Sequence, residues 1–183
     1  MVVVCDCDNV LNNLQETVVS LFNDRNGTNY TLHDFHTYDI MNSLPMQDAI
    51  SMKEMYAECG LYDFVKPVRG AQVAIEKLIN NGHQIYIATD HPSATYGEKV
   101  AWIKKYFPCI DDAHIICIKH KWLLRSDIMI EDCVENLLAK PFYDRILVDY
   151  PWNRHVKDYA YNIRRCANWE QISDVINKIN DGE

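Results

Sequence analysis

The sequence predicts an α/β fold, a three-layer α/β/α arrangement around a parallel sheet, with a small helical cap inserted after the first strand. Two observations support this prediction. Short apolar runs alternate with amphipathic helical segments over residues 68 to 183, which is typical of a parallel sheet covered on both faces. Residues 15 to 67 lack that alternation. We therefore assign residues 1 to 14 and 68 to 183 to a core domain and residues 15 to 67 to the cap.

The elements follow in chain order, beginning with the first strand and the cap. Val2 to Cys5 is a β-branched run too short for a helix, which predicts a buried strand of the parallel type. Leu14 to Asn23 has apolar residues at helical spacing, and Asn26-Gly27 predicts the end of that helix. Within the cap, short helices are predicted around Met46 to Glu58.

The core domain resumes after Gly70 with alternating helices and strands. Asn81-Gly82 closes the first of these helices, and Pro108 ends the second. The predicted helices span Ala71 to Ile79, Glu98 to Phe107 and Trp169 to Ile179. The predicted strands span Gln84 to Ala88, His114 to Ile118, Asp127 to Ile130 and Arg145 to Val148.

The composition favours a soluble globular protein and argues against a membrane protein or a nucleic-acid-binding protein. The 183 residues suit one domain with an insertion, and 48% hydrophobic with 24% charged residues is typical of a soluble globular protein. The net charge of −8 argues against a nucleic-acid surface but not against a small phosphorylated ligand held through a cation. No apolar run approaches the ~20 residues that span a bilayer, and the chain opens without a signal-peptide pattern. Seven scattered cysteines, an odd number, predict a reduced, cytoplasmic protein, and a homodimer is compatible with the sequence.

Reactive or polar residues follow three of the predicted strands. Asp6 and Asp8 follow the first strand, Thr89 follows the second, and Glu131-Asp132 follows the fourth. In open parallel sheets, ligands bind at the carboxyl ends of the strands, so we expect these residues to share one crevice. Carboxylates that converge there repel one another unless a cation lies among them. Oxygen ligands from few protein residues suit Mg²⁺.

The spacing of Asp6 and Asp8 suits transfer of a phosphoryl group. One carboxylate can attack phosphorus while the other protonates the leaving oxygen, and a lysine and a hydroxyl can hold the phosphate oxygens. Lys99 and Lys121 both lie between the second and fourth motifs. Taken alone, Lys99 is equally typical of a solvated residue in the first turn of a helix, and Glu131-Asp132 of a helix cap.

These motifs together resemble those of the haloacid dehalogenase superfamily. Val2 to Val10 resembles its first motif, a hydrophobic strand followed by Asp-x-Asp-x-Val/Thr. Ile85 to Thr89 resembles the second motif, and Asp127 to Asp132 the fourth. All three have the order and spacing of the superfamily, which is far more specific than Asp-x-Asp alone.

Within that superfamily, the chain most resembles the 5'(3')-deoxyribonucleotidases over most of its length. Lys99 to Phe107 is similar to that family's Lys-Tyr-Ala-Trp-Val-Glu-Lys-Tyr-Phe. Lys121 to Asp132 is similar to its Lys-Thr-Val-Val-x-x-Asp-Leu-Leu-Ile-Asp-Asp. Arg145 to Val148, followed by Asn153-Arg-His155, is similar to its Ile-Leu-Phe…His-Asn-x-His near the C-terminus.

The resemblance implies a Mg²⁺-dependent phosphatase that dephosphorylates (deoxy)nucleoside monophosphates. It implies that Asp6 is transiently phosphorylated and ligates the metal. Asp8 would be the general acid/base and also bind Mg²⁺ through its carbonyl. Asp132 would be the third protein ligand, with Glu131 as a further candidate.

The resemblance also implies the residues that contact the substrate. Thr89 and Lys121 would contact the phosphate, with Lys99 as the other candidate for the single lysine of the superfamily and Asp90 contributing its backbone N–H. In the family, a small helical cap supplies aromatic residues around the base. The comparable positions here are Leu14, Phe35, Tyr38 and Tyr56.

Three positions depart from the family pattern. Asn9 replaces the usual Gly after the second Asp, and Asn tolerates left-handed backbone angles better than most residues. Thr89-Asp90-His91-Pro92 replaces Thr-Ser-Pro, and its carboxylate could repel phosphate. Glu131 replaces the first Asp of the acidic pair, and its longer side chain could shift the metal geometry.

Rival functions are a phosphatase for a sugar phosphate or another phosphomonoester, a phospho-acceptor domain, and a non-catalytic binding module. The cap decides the first alternative. A phospho-acceptor domain places its acidic pair after the first strand and its acceptor after the third, whereas Asp6-x-Asp8 stands at the end of the first strand. The complete set of reactive residue types favours an enzyme over a binding module.

Overall fold

The computed structural model describes residues 1–90, 95–139 and 144–182, and it contains a six-stranded parallel sheet in the order β3-β2-β1-β4-β5-β6. Its strands are β1 (Val2–Cys5), β2 (Gln84–Thr89), β3 (Ile115–Cys117), β4 (Ile128–Glu131), β5 (Asp144–Val148) and β6 (Ile163–Cys166). All five neighbouring pairs are parallel. The five predicted strands are present, with bounds that differ from the expectation by one residue at most.

The sixth strand is not predicted by the sequence. β6 has the sequence Ile-Arg-Arg-Cys and lies at the edge of the sheet beside β5. Its two arginines are half-buried and paired with carboxylates: Arg164 with Asp144, and Arg165 with Asp149 and Asp158. Because half of the strand is charged, it lacks the apolar run that marks the other strands.

The structure contains seven α-helices among the described residues. They are α1 (Leu14–Asn26), α2 (Met46–Met55), α3 (Ala71–Asn80), α4 (Tyr96–Tyr106), α5 (Val134–Leu138), α6 (Asp158–Tyr161) and α7 (Trp169–Asp181). α1 continues three residues beyond the predicted Asn23 and ends at Gly27, whose φ of 65° is left-handed as the Asn-Gly signal predicts. The short α5 and α6 are not predicted.

Alternate residues of the strands point to two apolar layers, which makes the fold three-layered. Val3 and Cys5 of β1 pack with buried residues of α3, α4 and α7 in the larger core cluster. Val4 points the other way and packs with Met129, Leu147 and residues of α5. The predicted fold class is therefore confirmed.

The predicted cap is joined to the core by two adjacent chain segments. Asn12 and Pro67 form an isolated antiparallel bridge, and the Val68 N–H donates to the Leu11 carbonyl at 2.8 Å. The two ends of the predicted cap therefore lie next to each other, and its bounds, 15 to 67, stay a prediction. Phe22 of this segment belongs to the same apolar cluster as the sheet.

Within the described ranges, none of the helices combines the length and apolar character that crossing a membrane requires.

Candidate active site

Three predicted motifs meet at the carboxyl edge of the sheet. β1 lies between β2 and β4, so the residues that end these strands are neighbours in space. Asp6 follows β1, and its N–H donates to the Ile130 carbonyl of β4 at 2.9 Å. Thr89 is the last residue of β2, and Glu131 is the last residue of β4. The strand order thus produces the expected crevice.

One group of side chains surrounds the carboxylate of Asp8 and is called the Asp8 cluster below. The Lys99 Nζ donates to Asp8 Oδ2 at 2.6 Å and to Thr89 Oγ1 at 2.8 Å. The other carboxylate oxygen, Oδ1, accepts from Asn12 Nδ2 and from the Tyr62 hydroxyl, both at 3.0 Å. The members of the Asp8 cluster are Asp8, Asn12, Tyr62, Thr89 and Lys99.

The ionisation states in the Asp8 cluster follow from burial and pairing. Burial alone would raise the pKa of Asp8, but the Lys99 ammonium and hydrogen bonds from Lys99, Asn12 and Tyr62 outweigh it and hold that pKa below its usual value. Burial opposes the charge of Lys99, yet Asp8 keeps the pKa of Lys99 above its usual value. Burial and the nearby Asp8 charge raise the pKa of Tyr62, so its hydroxyl stays protonated. Asp8 and Lys99 therefore form an ion pair.

The buried position of Lys99 decides one open question from the sequence. Lys99 is fully buried, so its interpretation as a solvated helix residue is wrong. Its Nζ also contacts the Asp90 carbonyl at 3.0 Å. Asp90 itself is exposed, and the proposed contact of its backbone N–H with phosphate stays a prediction.

A second group, called the acidic cluster below, surrounds Asp6. The Lys121 Nζ lies 2.7 Å from Asp6 Oδ1 and 2.7 Å from Glu131 Oε1. Carboxylate oxygens of Asp6, Glu131 and Asp132 all lie within 4.8 Å of one another, and the three residues are buried. With all groups ionised, three carboxylates against one ammonium leave two net negative charges. The members of the acidic cluster are Asp6, Lys121, Glu131 and Asp132.

The excess of negative charge changes the protonation of the acidic cluster. Burial, and then the charge of Asp6, raises the pKa of Asp132 to about 8. The same causes, in the same order, raise the pKa of Glu131 well above its usual value. The carboxylates are therefore hard to ionise together without a further positive charge.

Two atoms of the acidic cluster fit a metal ion. Asp132 Oδ1 and Glu131 Oε2 are buried and have no hydrogen-bond partner among the residues that the structure describes. A buried polar atom without a partner costs about 1–3 kcal/mol, and a divalent cation would satisfy both oxygens and balance the two excess charges. The Asp8 carboxylate is not in this cluster, so its carbonyl remains the predicted metal ligand. Neither Glu131 nor Asp132 caps α5, which begins after Cys133 without a side-chain cap.

Asn9 adopts the left-handed backbone expected at the position where the family usually has Gly. Its φ is 58°. Its side-chain amide also contributes contacts that Gly could not make: Nδ2 donates to Asp132 Oδ2 at 3.0 Å, and Oδ1 accepts from the Gln15 N–H at 2.8 Å. The departure from the family pattern therefore preserves the loop and adds a donor to the acidic cluster.

Two cavities open on these clusters. A cleft of about 590 Å³ lies between the predicted cap and the core. It is lined by all four predicted base-pocket residues, Leu14, Phe35, Tyr38 and Tyr56. A smaller cavity of about 330 Å³ is lined by Asp6 and Lys121. Asp8, Tyr38 and Asp90 line both cavities, so Asp8 stands where the two meet.

The four predicted base-pocket residues differ in exposure. Phe35 and Leu14 are buried, whereas Tyr38 lines both cavities and is half exposed. The Tyr56 hydroxyl donates to Gln15 Oε1 across the cleft wall. Their role in base binding stays a prediction. Two histidines are close to the motifs in sequence. His120 lines the smaller cavity, and His91 lies outside the described residues.

A family model described as "5' nucleotidase, deoxy (Pyrimidine), cytosolic type C protein" matches residues 1–180. The chain belongs to this nucleotidase family. The match confirms the predicted resemblance and the predicted enzyme class, a phosphatase. It also favours the enzyme over the phospho-acceptor and binding-module alternatives.

Relatives found by sequence agree with this assignment, and solved structures agree with the fold. The 5'(3')-deoxyribonucleotidase of Bacillus subtilis is 26% identical over 174 residues, which are 93% of this chain and 95% of that protein. A haloacid dehalogenase-like protein from Agrobacterium tumefaciens has a TM-score of 0.65 at 14% identity, with 98% of each chain covered. A predicted phosphatase from Clostridium acetobutylicum has a TM-score of 0.63 at 15% identity, covering 97% of this chain and 98% of that one. These two structures confirm the fold.

The candidate site contains residues to which the sequence analysis assigns no role. Tyr62 contacts Asp8 from 54 positions away, in a stretch without periodicity, and no signal could have found it. Asn12 is a polar residue beside the apolar Val10-Leu11 pair, which is a usable signal. Asn153 belongs to the C-terminal stretch that resembles the family, but only the structure shows its contact: it is buried, and its Nδ2 donates to the Asp132 carbonyl at 2.9 Å and so fixes the loop after β4.

Proposed function

We propose that this chain hydrolyses deoxynucleoside monophosphates, with Asp6 as the nucleophile and Asp8 as the general acid/base. The position of Asp8 between the two cavities is the observation that supports this most strongly. A nucleotide with its phosphorus beside Asp6 and its nucleoside in the larger cleft would place the bridging oxygen next to Asp8. Asp8 and Asp90 are the two carboxylates that border both cavities, and Asp8, which follows Asp6 by two positions and is paired with Lys99, is the one that we assign to the leaving oxygen.

The reaction would proceed in two steps. The Asp6 carboxylate attacks phosphorus, the bond between phosphorus and the nucleoside oxygen breaks, and Asp8 donates a proton to that oxygen. Water then attacks the phosphoaspartate, Asp8 accepts the proton of the water, and phosphate leaves with Asp6 restored. Asp8 must be protonated in the first step although Lys99 lowers its pKa in the free protein. A phosphate dianion nearby adds like charge and shifts the pKa of Asp8 upward.

The lysines and the threonine would stabilise the transferring group. Lys121 contacts Asp6 and is placed to neutralise charge on the phosphoryl oxygens, which is the role we propose for the single lysine of the superfamily. Lys99 binds both Asp8 and Thr89, so it can orient the acid and support a phosphate contact by the Thr89 hydroxyl. Each lysine therefore serves a different carboxylate.

We propose Mg²⁺ as the ion of the acidic cluster, held by Asp6, Asp132 and the Asp8 carbonyl, with Glu131 as a further candidate. When bound, the ion would offset the charge of the carboxylates and polarise the phosphoryl group. The two unpartnered buried oxygens support a cation at this place. Activity should be lost in EDTA and restored by added Mg²⁺, and Ca²⁺ should substitute poorly because it favours looser, higher coordination.

A substrate panel with two matched variants tests the nucleotide assignment. Deoxynucleotides should be preferred over hexose phosphates, because an aromatic ring stacked on a base contributes ~1–3 kcal/mol. Tyr56→Ala should lower kcat/KM for deoxynucleotides about tenfold to a hundredfold, from the same stacking range, and change hydrolysis of p-nitrophenyl phosphate little. Tyr56→Phe keeps the ring and should retain most of the preference. If the wild type prefers hexose phosphates to every deoxynucleotide, the substrate assignment fails while the phosphatase class stands.

We also propose a reduced, cytoplasmic setting. All seven cysteines are free thiols, and four of them are buried. A protein that needs no disulfide should melt at the same temperature with and without a reductant. The homodimer that the sequence allows is a separate question, which light scattering after size-exclusion chromatography answers.

A further inference from the structure

The carboxylate of Asp8 is held differently at its two oxygens. Oδ2 faces the Lys99 ammonium at 2.6 Å. Oδ1 accepts two hydrogen bonds, from Asn12 Nδ2 and from the Tyr62 hydroxyl. Two donors occupy the lone pairs of Oδ1, so a proton carried by Asp8 is directed to Oδ2.

Tyr62 reaches Asp8 from the segment through which the predicted cap returns to the core. It lies in a single helical turn, Leu61–Asp63, and is buried. Its ring packs edge-on against Trp102 of α4 at a centroid distance of 6.4 Å, and Trp102 Nε1 donates to the Val65 carbonyl at 3.0 Å. The hydroxyl of Tyr62 is thus placed by packing between the cap return and a helix of the core.

We infer that Tyr62 is a positioning residue for the general acid: its hydroxyl, with Asn12, occupies Asp8 Oδ1, so that the transferable proton sits on Oδ2. The inference rests on the proposed function, because it assigns Asp8 the transfer of a proton to the leaving oxygen. Tyr62 contributes no reacting atom. It fixes which oxygen of Asp8 reacts, and it couples that choice to the placement of the cap return.

Tyr62→Phe tests this inference because it removes the hydroxyl and keeps the ring against Trp102. We expect kcat/KM for a deoxynucleoside 5'-monophosphate to fall about tenfold to a hundredfold, a part of the ~10²–10⁴-fold that general acid catalysis supplies. For p-nitrophenyl phosphate, whose leaving group departs without protonation, we expect a change of about threefold at most, since the acid contributes little there. We measure kcat/KM because it reports only the steps up to and including the first irreversible one, the transfer of the phosphoryl group to Asp6. The later hydrolysis of the phosphoaspartate does not affect it.

Tyr30→Phe is the matched control. The Tyr30 hydroxyl donates to Asp48 Oδ2 at 2.5 Å, so this variant also deletes a partly buried bond between a tyrosine and a carboxylate within the predicted cap. It should change neither substrate's kcat/KM. A fall on both substrates together in Tyr62→Phe, with a lowered melting temperature like that of Tyr30→Phe, would mean a purely structural role and overturn the inference.

Asp8→Asn separates failure of the inference from failure of the proposed function. If Asp8 is the acid, Asp8→Asn should also penalise the nucleotide far more than the aryl phosphate, and Tyr62→Phe should add nothing to it in the double variant. If Asp8→Asn slows the hydrolysis of the nucleotide and of the aryl phosphate equally, Asp8 is not the general acid and the proposed function is wrong on this point. If Asp8→Asn shows the dependence and Tyr62→Phe does not, only the inference about Tyr62 is wrong.

Discussion

The Asp8 cluster and the acidic cluster lie side by side but differ in their balance of charge: the first is neutral, and the second has an excess of negative charge. In the Asp8 cluster, one partly exposed carboxylate meets one buried ammonium, and both carboxylate oxygens have donors. In the acidic cluster, three buried carboxylates share one ammonium, and two of their oxygens have no partner in the described part of the chain. The first arrangement is complete in the protein alone, whereas the second needs a further cation.

This difference matches the distinct task that we propose for each cluster. A carboxyl group that transfers protons needs a fixed direction and a defined neighbourhood, which the Asp8 cluster provides with protein donors alone. A site for a metal and a phosphate instead keeps an excess of negative charge and unpaired carboxylate oxygens, which are neutralised and paired when the metal binds. The two lysines differ in the same way. Lys99 neutralises the single charge of Asp8, whereas Lys121 neutralises only one of the three carboxylate charges around it.

The largest expected effect comes from Asp6→Asn in the acidic cluster. An amide cannot act as the nucleophile, so turnover should fall ~10⁴-fold or more, as it does when other covalent catalysts lose their nucleophile. The fold should persist, because the variant removes one of three like charges from the cluster. Steady-state rates with Mg²⁺ measure the loss of turnover, and thermal melting in metal-free buffer measures the stability of the fold. Substantial residual activity in pure Asp6→Asn protein would contradict the mechanism.

The next effect compares the lysines through Lys99→Met and Lys121→Met. Each should lower kcat about a hundredfold to a thousandfold, the range for removal of one preorganised donor. Only Lys121→Met leaves three carboxylates without an ammonium. The rise in melting temperature on adding Mg²⁺ should therefore exceed the wild-type rise in Lys121→Met and match it in Lys99→Met. Equal rises in the two variants would show that the clusters are not electrostatically distinct.

A smaller effect concerns the pH dependence of stability in the acidic cluster. The folded protein raises the pKa of Asp132 to about 8, so folded Asp132 holds a proton that the unfolded chain has released. The contribution of Asp132 to the unfolding free energy of the metal-free protein should therefore decrease as pH rises from about 4 to 8 and level off above 8, with a loss of about 2 kcal/mol between pH 6 and 8. Asp132→Asn cannot titrate and should lack this component, which urea unfolding of both proteins at several pH values would detect.

Magnesium supplies the complementary measurement. Binding of the ion must displace the proton of Asp132, so the Mg²⁺ affinity of the wild type should fall by up to about tenfold per pH unit below pH 8. Asp132→Asn should be the more stable protein without metal and should gain little stability from Mg²⁺. A wild-type affinity that is constant from pH 6 to 8 would mean that Asp132 is already ionised.

The sequence predicts the sheet and the reactive residues well because both depend on local patterns. Each strand that ends in a motif is a short apolar run, and the parallel arrangement then brings Asp6, Thr89 and Glu131 together. β6 was beyond this reasoning because paired arginines replace the apolar run. Tyr62 was beyond it for another reason, since its contact with Asp8 depends on how the cap return packs against α4.

The choice between the lysines needed the structure for the same reason. In sequence, Lys99 and Lys121 are two cations between two motifs, and nothing local separates them. The fold places Lys99 on Asp8 and Lys121 on Asp6, so both belong to the site. Long-range geometry thus decides which carboxylate each lysine serves, while the sequence decides only that a lysine is available.

The smallest expected effect belongs to Asn9, which connects the two clusters. Its N–H donates to Asn12 Oδ1 at 3.1 Å, and Asn12 holds Asp8, whereas its side chain donates to Asp132. Asn9→Gly and Asn9→Ala both keep the backbone bond and lose the side-chain donor. Each should therefore weaken Mg²⁺ binding about tenfold, as loss of an outer-shell partner does, and leave the ratio of nucleotide to aryl phosphate hydrolysis unchanged.

The two Asn9 variants should differ from each other only in stability. The φ of 58° costs an alanine about 1–2 kcal/mol and a glycine almost nothing, so Asn9→Ala should unfold at lower urea than Asn9→Gly. Mg²⁺ calorimetry, the two-substrate kinetic ratio and urea unfolding on this pair separate the side-chain bond from the backbone conformation. A changed substrate ratio in Asn9→Gly would show that the acidic cluster and the Asp8 cluster respond together, and the division between them would then be wrong.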